Sequence, residues 1–556
     1  MISALVPRNC RAREFPIVIP NCFVASDAAV SVRHRPVRFL RLFAAVALAA
    51  LANDVRAATP SAWTEWHAPT QGYVGGLSCA SASCHGGGQS RSGPPGQLMQ
   101  ESLMFLGGQA HPADPHARSG ERMRQAPFQE VLRRASHKAD GSVDSSMAAR
   151  CAACHDPGAV QSHLAGPSLT AAGAATPESL MVGQGVGCES CHGPAEKWLA
   201  AHYRWDISRE ELRQLGMIDT KNVFLRAQIC AACHVGSAEQ DVNHDMLAAG
   251  HPPLRFEMAS YQALLGTKHW NDGPRRTAEP NYEWQLWAAG RIASADAALT
   301  VLESRARKAA APGEANPHPW PEFAEQNCFT CHQSLRTAAG PATTPGAATL
   351  AGGVPLWRSW NVLLSGAVIA PGGAGAGDLP APGTLFEQQL SAVRDEMQRT
   401  AFPDAAKVAR LAAEARASLR TQAQIAPDGT ILNAGGGPLG FEGFLAVAGS
   451  GPDRQMSWEY CCQQLGAWLA AERSLRDSLA IPQRGAVVPV EALGHLNMLR
   501  GRARRVGESL RFITSGREWP RALAALQPGG SVAENTLSLE QAALELEALW
   551  RELGNP

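Results

Sequence analysis

Beyond residue 383 the chain settles into a regular alternation of apolar and polar positions at helical spacing. It predicts helices over 385–402, 404–424, 455–477, 490–513 and 537–553, each with a polar face of Glu, Arg and Gln. Pro403 separates the first two, and Asn433 to Pro438 lies in a glycine-rich loop. These segments read as an antiparallel helical bundle over 384–556. Residues 342–383 are rich in Gly, Ala and Pro and read as a linker holding one short helix, in which Trp357, Trp360, Leu363 and Leu364 recur at helical spacing. Upstream, 59–341 is rich in Gly, Pro and His, with only short helical pieces and little strand pattern. The fold class expected is mainly α: an irregular domain with few strands, followed by a helical bundle.

The first 58 residues read as an N-terminal extension and a secretion signal. Arg33, Arg35, Arg38 and Arg41 precede the apolar run 42–52, and small residues near Ala57 offer a cleavage site. That run is shorter than the roughly twenty residues a bilayer-spanning helix needs, and no later stretch qualifies. A periplasmic protein without a transmembrane anchor after cleavage is expected. The residues ahead of Arg33 are most simply explained by a start codon assigned too far upstream.

Charge changes the picture little. Lys plus Arg and Asp plus Glu both number 50 among 556 residues, so bulk charge implies no nucleic-acid partner. Leu and Ala dominate the apolar residues, which favours helix over strand. Cysteine changes it decisively. Ten of the 14 cysteines fall in five clusters. Cys151-Ala-Ala-Cys154-His155, Cys188-Glu-Ser-Cys191-His192, Cys230-Ala-Ala-Cys233-His234 and Cys328-Phe-Thr-Cys331-His332 each read C-x-x-C-H, while Cys79-Ala-Ser-Ala-Ser-Cys84-His85 has four residues between its cysteines. Cys461 and Cys462 are adjacent and read as buried helix residues rather than a strained bridge.

C-x-x-C-H is the attachment signature of c-type haem. Two thiols bond the vinyl groups of one porphyrin, and the adjoining histidine turns under the ring to bind iron. Zinc modules use pairs of ligand pairs and give no role to a His after every second Cys. A thioredoxin-like site would occur once, and disulfides would not need the histidines. Five covalent haems follow, held by Cys79, Cys84, Cys151, Cys154, Cys188, Cys191, Cys230, Cys233, Cys328 and Cys331, with His85, His155, His192, His234 and His332 beneath the irons. Covalent attachment takes place outside the bacterial cytoplasm, in agreement with export.

Whether the opposite face of each iron is filled separates an electron carrier from a catalyst. His116, in Asp-Pro-His-Ala-Arg, leads into a helix running toward Leu132. His202 follows the third motif by a distance that lets a short helix return it to a neighbouring haem. His244 and His251 are seven residues apart, two helical turns, so a helix would present both on one side, to two different haems. These four are the candidate distal ligands.

The stretches Gly72 to Cys79 through Cys84-His85-Gly-Gly, Asp114-Pro-His116-Ala-Arg, Gly185-Val-Gly-Cys188 through His192-Gly-Pro and Asn243-His-Asp through Gly250-His251-Pro-Pro-Leu-Arg-Phe-Glu resemble the multihaem cytochrome c family related to cytochrome c-554 and hydroxylamine oxidoreductase. The resemblance covers roughly residues 70 to 335 and implies an irregular helical haem domain with stacked haem pairs and mostly bis-histidine iron. It also implies that His116 and the histidine after Gly-Pro, His202, act as distal ligands. The chain departs from the family in its five sites, where the tetrahaem carrier has four, and no tyrosine matches the cross-linking one of the oxidoreductase.

The expectation is an exported pentahaem cytochrome relaying electrons between periplasmic or membrane-bound redox partners, such as redox proteins or a quinol-oxidising membrane complex. The C-terminal helices would serve docking or homo-oligomerisation. The alternative is a haem-dependent oxidoreductase acting on a small nitrogen or sulfur compound at one five-coordinate haem. Pentahaem nitrite reductases share the haem count, but they carry a lysine in place of one motif histidine, and no C-x-x-C-K occurs here. No catalytic side chain is assigned.

Overall fold

The longest helix, 29 residues from Tyr282 to Ala310, rises from the half of the chain whose pattern promised only short pieces. Its sequence shows why it was missed. Trp284, Leu286, Trp287, Ala288, Ala289, Ile292, Ala293 and Ala295 are all buried, so the apolar positions run around the whole circumference and leave no alternation to detect. Two of the polar residues interspersed among them, Gln285 and Arg291, find partners in the interior. Gln285 hydrogen-bonds the Ile431 and Leu439 carbonyls, and Arg291 bonds Gln463 and the carbonyls of Trp360 and Asn361.

The computed structural model describes residues 72–79, 116, 118–137, 141–158, 185–265, 272–279, 281–311, 319–328, 354–369, 384–433, 435–441, 458–480, 490–513 and 539–553. All lie in one compact unit, Ser61–Pro556. Its helices in chain order are α1 (Ser119–Met123), α2 (Ala126–Ser136), α3 (Met147–His155), α4 (Cys188–His192), α5 (Arg209–Gln214), α6 (Val223–His234), α7 (His244–Ala249), α8 (Met258–Leu265), α9 (Gly273–Ala278), α10 (Tyr282–Ala310), α11 (Ser365–Ile369), α12 (Leu385–Met397), α13 (Ala405–Gln422), α14 (Trp458–Ala480), α15 (Val490–Ile513) and α16 (Leu539–Leu553). Extended pairing among the described residues consists of isolated bridges such as Gln326 with Trp357. The fold is mainly α. Among the described residues no helix is long and apolar enough to cross a membrane.

The patterned C-terminal segments form helices α12 to α16 with local signals that agree. Thr384 and Glu387 close a capping box on α12, and the Asp404 side chain, just past Pro403, caps α13. Cys461 and Cys462 are free, buried residues of α14. Trp468 donates to the Leu549 carbonyl and Trp550 to Gln464, tying α14 to α16. These helices do not stand apart. α10 packs on α6, α8, α13 and α14, and one hydrophobic core runs from Phe224 through Trp287 to Trp550. The 357–364 segment, expected as helix, crosses this core as turns leading into α11, with Leu364 at φ 63.

Candidate functional site

Three of the short helices, α3, α4 and α6, each end on a motif histidine. One helical turn places the first cysteine and the histidine, four residues apart, on the same face. The chain then has to leave the helix at once, and the residues that follow allow it. After His192 comes Gly193 at φ 81, where a β-carbon would lie 2.6 Å from the Gly216 carbonyl oxygen, so only glycine fits. Asp156 takes up a non-helical conformation after His155, and Val235 does the same after His234.

Glu189, between the two cysteines of the third motif, was not singled out by sequence. It is buried, and its carboxylate accepts backbone N–H groups of Val74 (3.0 Å), Gly75 (2.8 Å) and Ala195 (2.7 Å). The segment entering the first motif is thereby strapped to the third, and the thiols of Cys79 and Cys188 are hydrogen-bonded. A signal was present: Glu189 is the only charged residue inside any of the five motifs. A second inter-motif contact joins the thiols of Cys154 and Cys233. Burial pushes the thiol of Cys151 up to about 11 and that of Cys230 up to about 12.

Two of the four distal candidates face motif histidines. The imidazoles of His116 and His234 lie 6.0 Å apart between ring centres, and those of His155 and His251 lie 6.3 Å apart, both with planes inclined by 79°. An imidazole nitrogen binds a transition metal at about 2 Å, so two imidazoles on opposite faces of one metal have ring centres about 6 Å apart. Both gaps fit an iron between the rings. Burial lowers His234 to about 3 and His155 to about 4, with the facing histidine adding to each, so both rings are neutral at ordinary pH, the form that binds a metal. The His251 Nδ1 contacts the Pro252 carbonyl oxygen at 2.7 Å, leaving Nε2 for the metal. Phe256 stacks on His234 at 5.6 Å and Phe128 meets the edge of His155 at 5.2 Å, covering part of each ring with apolar surface.

His116 is held by the approach to the third motif. Its carbonyl accepts N–H groups from Ser119 (3.1 Å) and Val186 (3.3 Å), and Gly185, at φ 77, passes so close that a β-carbon would meet the Ser119 hydroxyl at 2.8 Å.

The helical argument for His244 and His251 is corrected. α7 begins at His244 and stops at Ala249, because Gly250 is left-handed at φ 117. The N–H groups of Gly250 and His251 then bond the carbonyls of Leu247 and Met246, a C-terminal cap that turns His251 off the helix axis toward His155. The Gly-His-Pro-Pro sequence was the signal for that stop. His244 instead meets the edge of Phe323 at 5.7 Å. His202 sits on turns rather than a regular helix, between Trp198 and Tyr203, with Nδ1 on the Leu199 carbonyl at 2.7 Å. Cys191 and Cys328 are half-buried, whereas Cys84, His85, Cys331 and His332 lie outside the described residues. Among the described residues no three His, Cys, Asp or Glu side chains converge as a cage for a bare metal ion.

Residues 109–193 match the family model for cytochrome c554 and c-prime. The chain is related to the multihaem cytochromes c. The matched stretch includes His116, His155, His192 and their cysteines and covers less than a fifth of the chain. The cytochrome relation carries covalently bound haem c and a role in electron transfer. The half-buried imidazoles in facing pairs and the thiols one helical turn before them fit that group. No curated protein and no solved structure matches the chain.

Proposed function

We propose that the chain is an exported pentahaem c-type cytochrome that relays electrons between periplasmic or membrane-bound redox partners. The observation that carries this reading is the facing of His116 with His234 and of His155 with His251 at the separation that one bis-histidine iron requires. An iron closed on both faces exchanges electrons and has no position for a substrate. Haem, when bound, supplies the one-electron chemistry; the chain fixes spacing, sets potentials and keeps water out. The thiol contacts Cys79 with Cys188 and Cys154 with Cys233 support two pairs of closely spaced haems, as a relay needs. His202 and His244 would serve two of the remaining irons. Export rests on the N-terminal signal. The partners would be redox proteins or a quinol-oxidising complex, and the helices after residue 384 would form the docking or self-association surface.

Intact mass and carbon monoxide test the reading together. The mature protein should carry five haem masses, and the reduced form should give no spectral shift with the gas. A shift corresponding to one haem would transfer the assignment to an oxidoreductase with an open iron. A mass lacking haem would end both.

A further inference from the structure

The two facing pairs of imidazoles share more than a separation. In each the ring planes are inclined by 79°, close to perpendicular, although different segments of the chain build them. Ring orientation matters at an iron, because axial ligands set its electronic structure. Each imidazole overlaps the one π-type d orbital whose lobes stand off its ring faces. Parallel rings use the same orbital and split the pair; crossed rings use one each and leave the two nearly equal in energy. In the oxidised, low-spin metal the electron hole then lies in a near-degenerate pair. Its g values become strongly anisotropic, and the oxidised form loses the stabilisation that splitting gives.

The His234 ring is held at its angle by two others. Phe256 stacks on it with planes 19° apart, and Tyr261 meets it at 4.9 Å and 74°. Phe256 and Tyr261 close the triangle at 5.0 Å and 75°, the edge-to-face geometry that aromatic pairs prefer. Turning His234 toward the plane of His116 would give up both contacts. The two flanking rings are anchored in their turn. Phe256 is fully buried, and its carbonyl accepts the Trp360 Nε1–H at 3.1 Å. Tyr261 belongs to α8, which packs on α10. The Ala259 and Ser260 N–H groups in the first turn of α8 donate to the buried Glu257 carboxylate at 2.9 and 2.8 Å. At the other pair the neighbour is Phe128, beside His155.

We propose that Phe256 and Tyr261 are positioning residues that hold the plane of His234 across that of His116, making this iron a station of raised potential in the relay. The inference rests on the bis-histidine reading of that pair given above and adds what the crossed planes do to it. A station of raised potential biases electron flow toward itself, so two aromatic side chains that touch no substrate would help to set the direction of transfer.

The test is low-temperature electron paramagnetic resonance of the oxidised, full-length, haem-loaded protein, paired with an optical redox titration after its mass has been measured. The unsubstituted protein should show strongly anisotropic low-field signals from two irons, one for each crossed pair. Tyr261→Leu should convert one of these signals to the rhombic type of parallel rings and move one redox wave to lower potential. Phe256→Leu, which removes the stack instead, should act on the same signal and the same wave. Tyr261→Phe keeps the ring and should leave spectrum and waves as they were; a loss of stability alone would move neither. Full haem mass with only rhombic signals in the unsubstituted protein overturns the crossed planes. Survival of both anisotropic signals in Tyr261→Leu and Phe256→Leu overturns the clamp. A carbon monoxide adduct of the reduced, unsubstituted protein that His116→Ala does not enlarge overturns the bis-histidine reading itself.

Discussion

Replacing His251 by alanine isolates one metal site. The His251 ring faces His155 at 6.3 Å and makes its other polar contact with its neighbour's carbonyl, so its loss removes no long-range hydrogen bond. What it removes is one axial ligand. A metal bound at about 2 Å by His155 would retain an open coordination position on the side the substitution empties. Reduced His251→Ala protein should therefore bind carbon monoxide at one haem, seen as a Soret change of about one fifth of the total absorbance if five are present. His116→Ala should produce a second, separate adduct at the His234 site. His137→Ala is the control: its Nδ1 also meets a backbone oxygen, Arg133 at 2.6 Å, but it is exposed and faces none of the described motif histidines. The reasoning fails if His251→Ala stays unreactive while haem mass is complete. It fails equally if the unsubstituted protein already shows an adduct of the same size.

Glu189→Gln keeps the shape of a side chain that accepts three backbone N–H groups but removes its charge; we expect a loss of about 2 kcal/mol in denaturant titration, with reduced haem occupancy at Cys79 by peptide mass. Gly429→Ala should destabilise by about 3 kcal/mol in thermal unfolding, since φ 89 disfavours a side chain and the new β-carbon would sit 2.0 Å from the Asn222 oxygen that caps α6. Arg399 and Lys407 lower Glu396 to about 2, below its ordinary carboxylate value, so the folded state holds this proton more weakly than the unfolded one. Its stabilisation is complete above about pH 4.5 and disappears as the pH falls toward 2; with both partners half-exposed it amounts to about 2 kcal/mol, and Glu396→Gln should flatten that acid limb of the stability profile.

Legibility divided by how much of each element the chain itself encodes. Helices α12 to α16 were visible because apolar and polar residues alternate along them at helical spacing, even in α14, where Gln463, Gln464 and Glu472 are buried, and because Thr384 and Asp404 announce two of the starts. α10 was invisible for a different reason: from Tyr282 to Asp296 every residue is buried, and periodicity cannot find what has no contrast. The motif cysteines and histidines stand out in the sequence because covalent haem attachment would fix their spacing. Pairing was not. His116 reaches His234 and His251 reaches His155 over long stretches of sequence, by way of Gly185 and Gly250, whose backbone angles redirect the chain. Glu189 was overlooked because its role, collecting N–H groups from a distant segment, leaves no spacing rule.

These contacts divide the structural work. Around the motifs the described helices are short, and carboxylate-to-backbone bonds such as those of Glu189 do the fastening. The rigidity comes from elsewhere. α6, which ends in His234, packs on α10, and α10 is held by α13 and α14, so the helices after residue 384 brace the helix that carries His234. Asn222 makes the link specific: its carboxamide caps α6 through the Leu225 N–H at 2.9 Å while donating to the Pro427 carbonyl at 3.1 Å. A disturbance near Pro427 therefore has a path to the ligand helix through one side chain. Truncating the chain before residue 384 would expose the buried flank of α10, and the effect would extend to the His116 and His234 pair rather than stop at a detachable appendage.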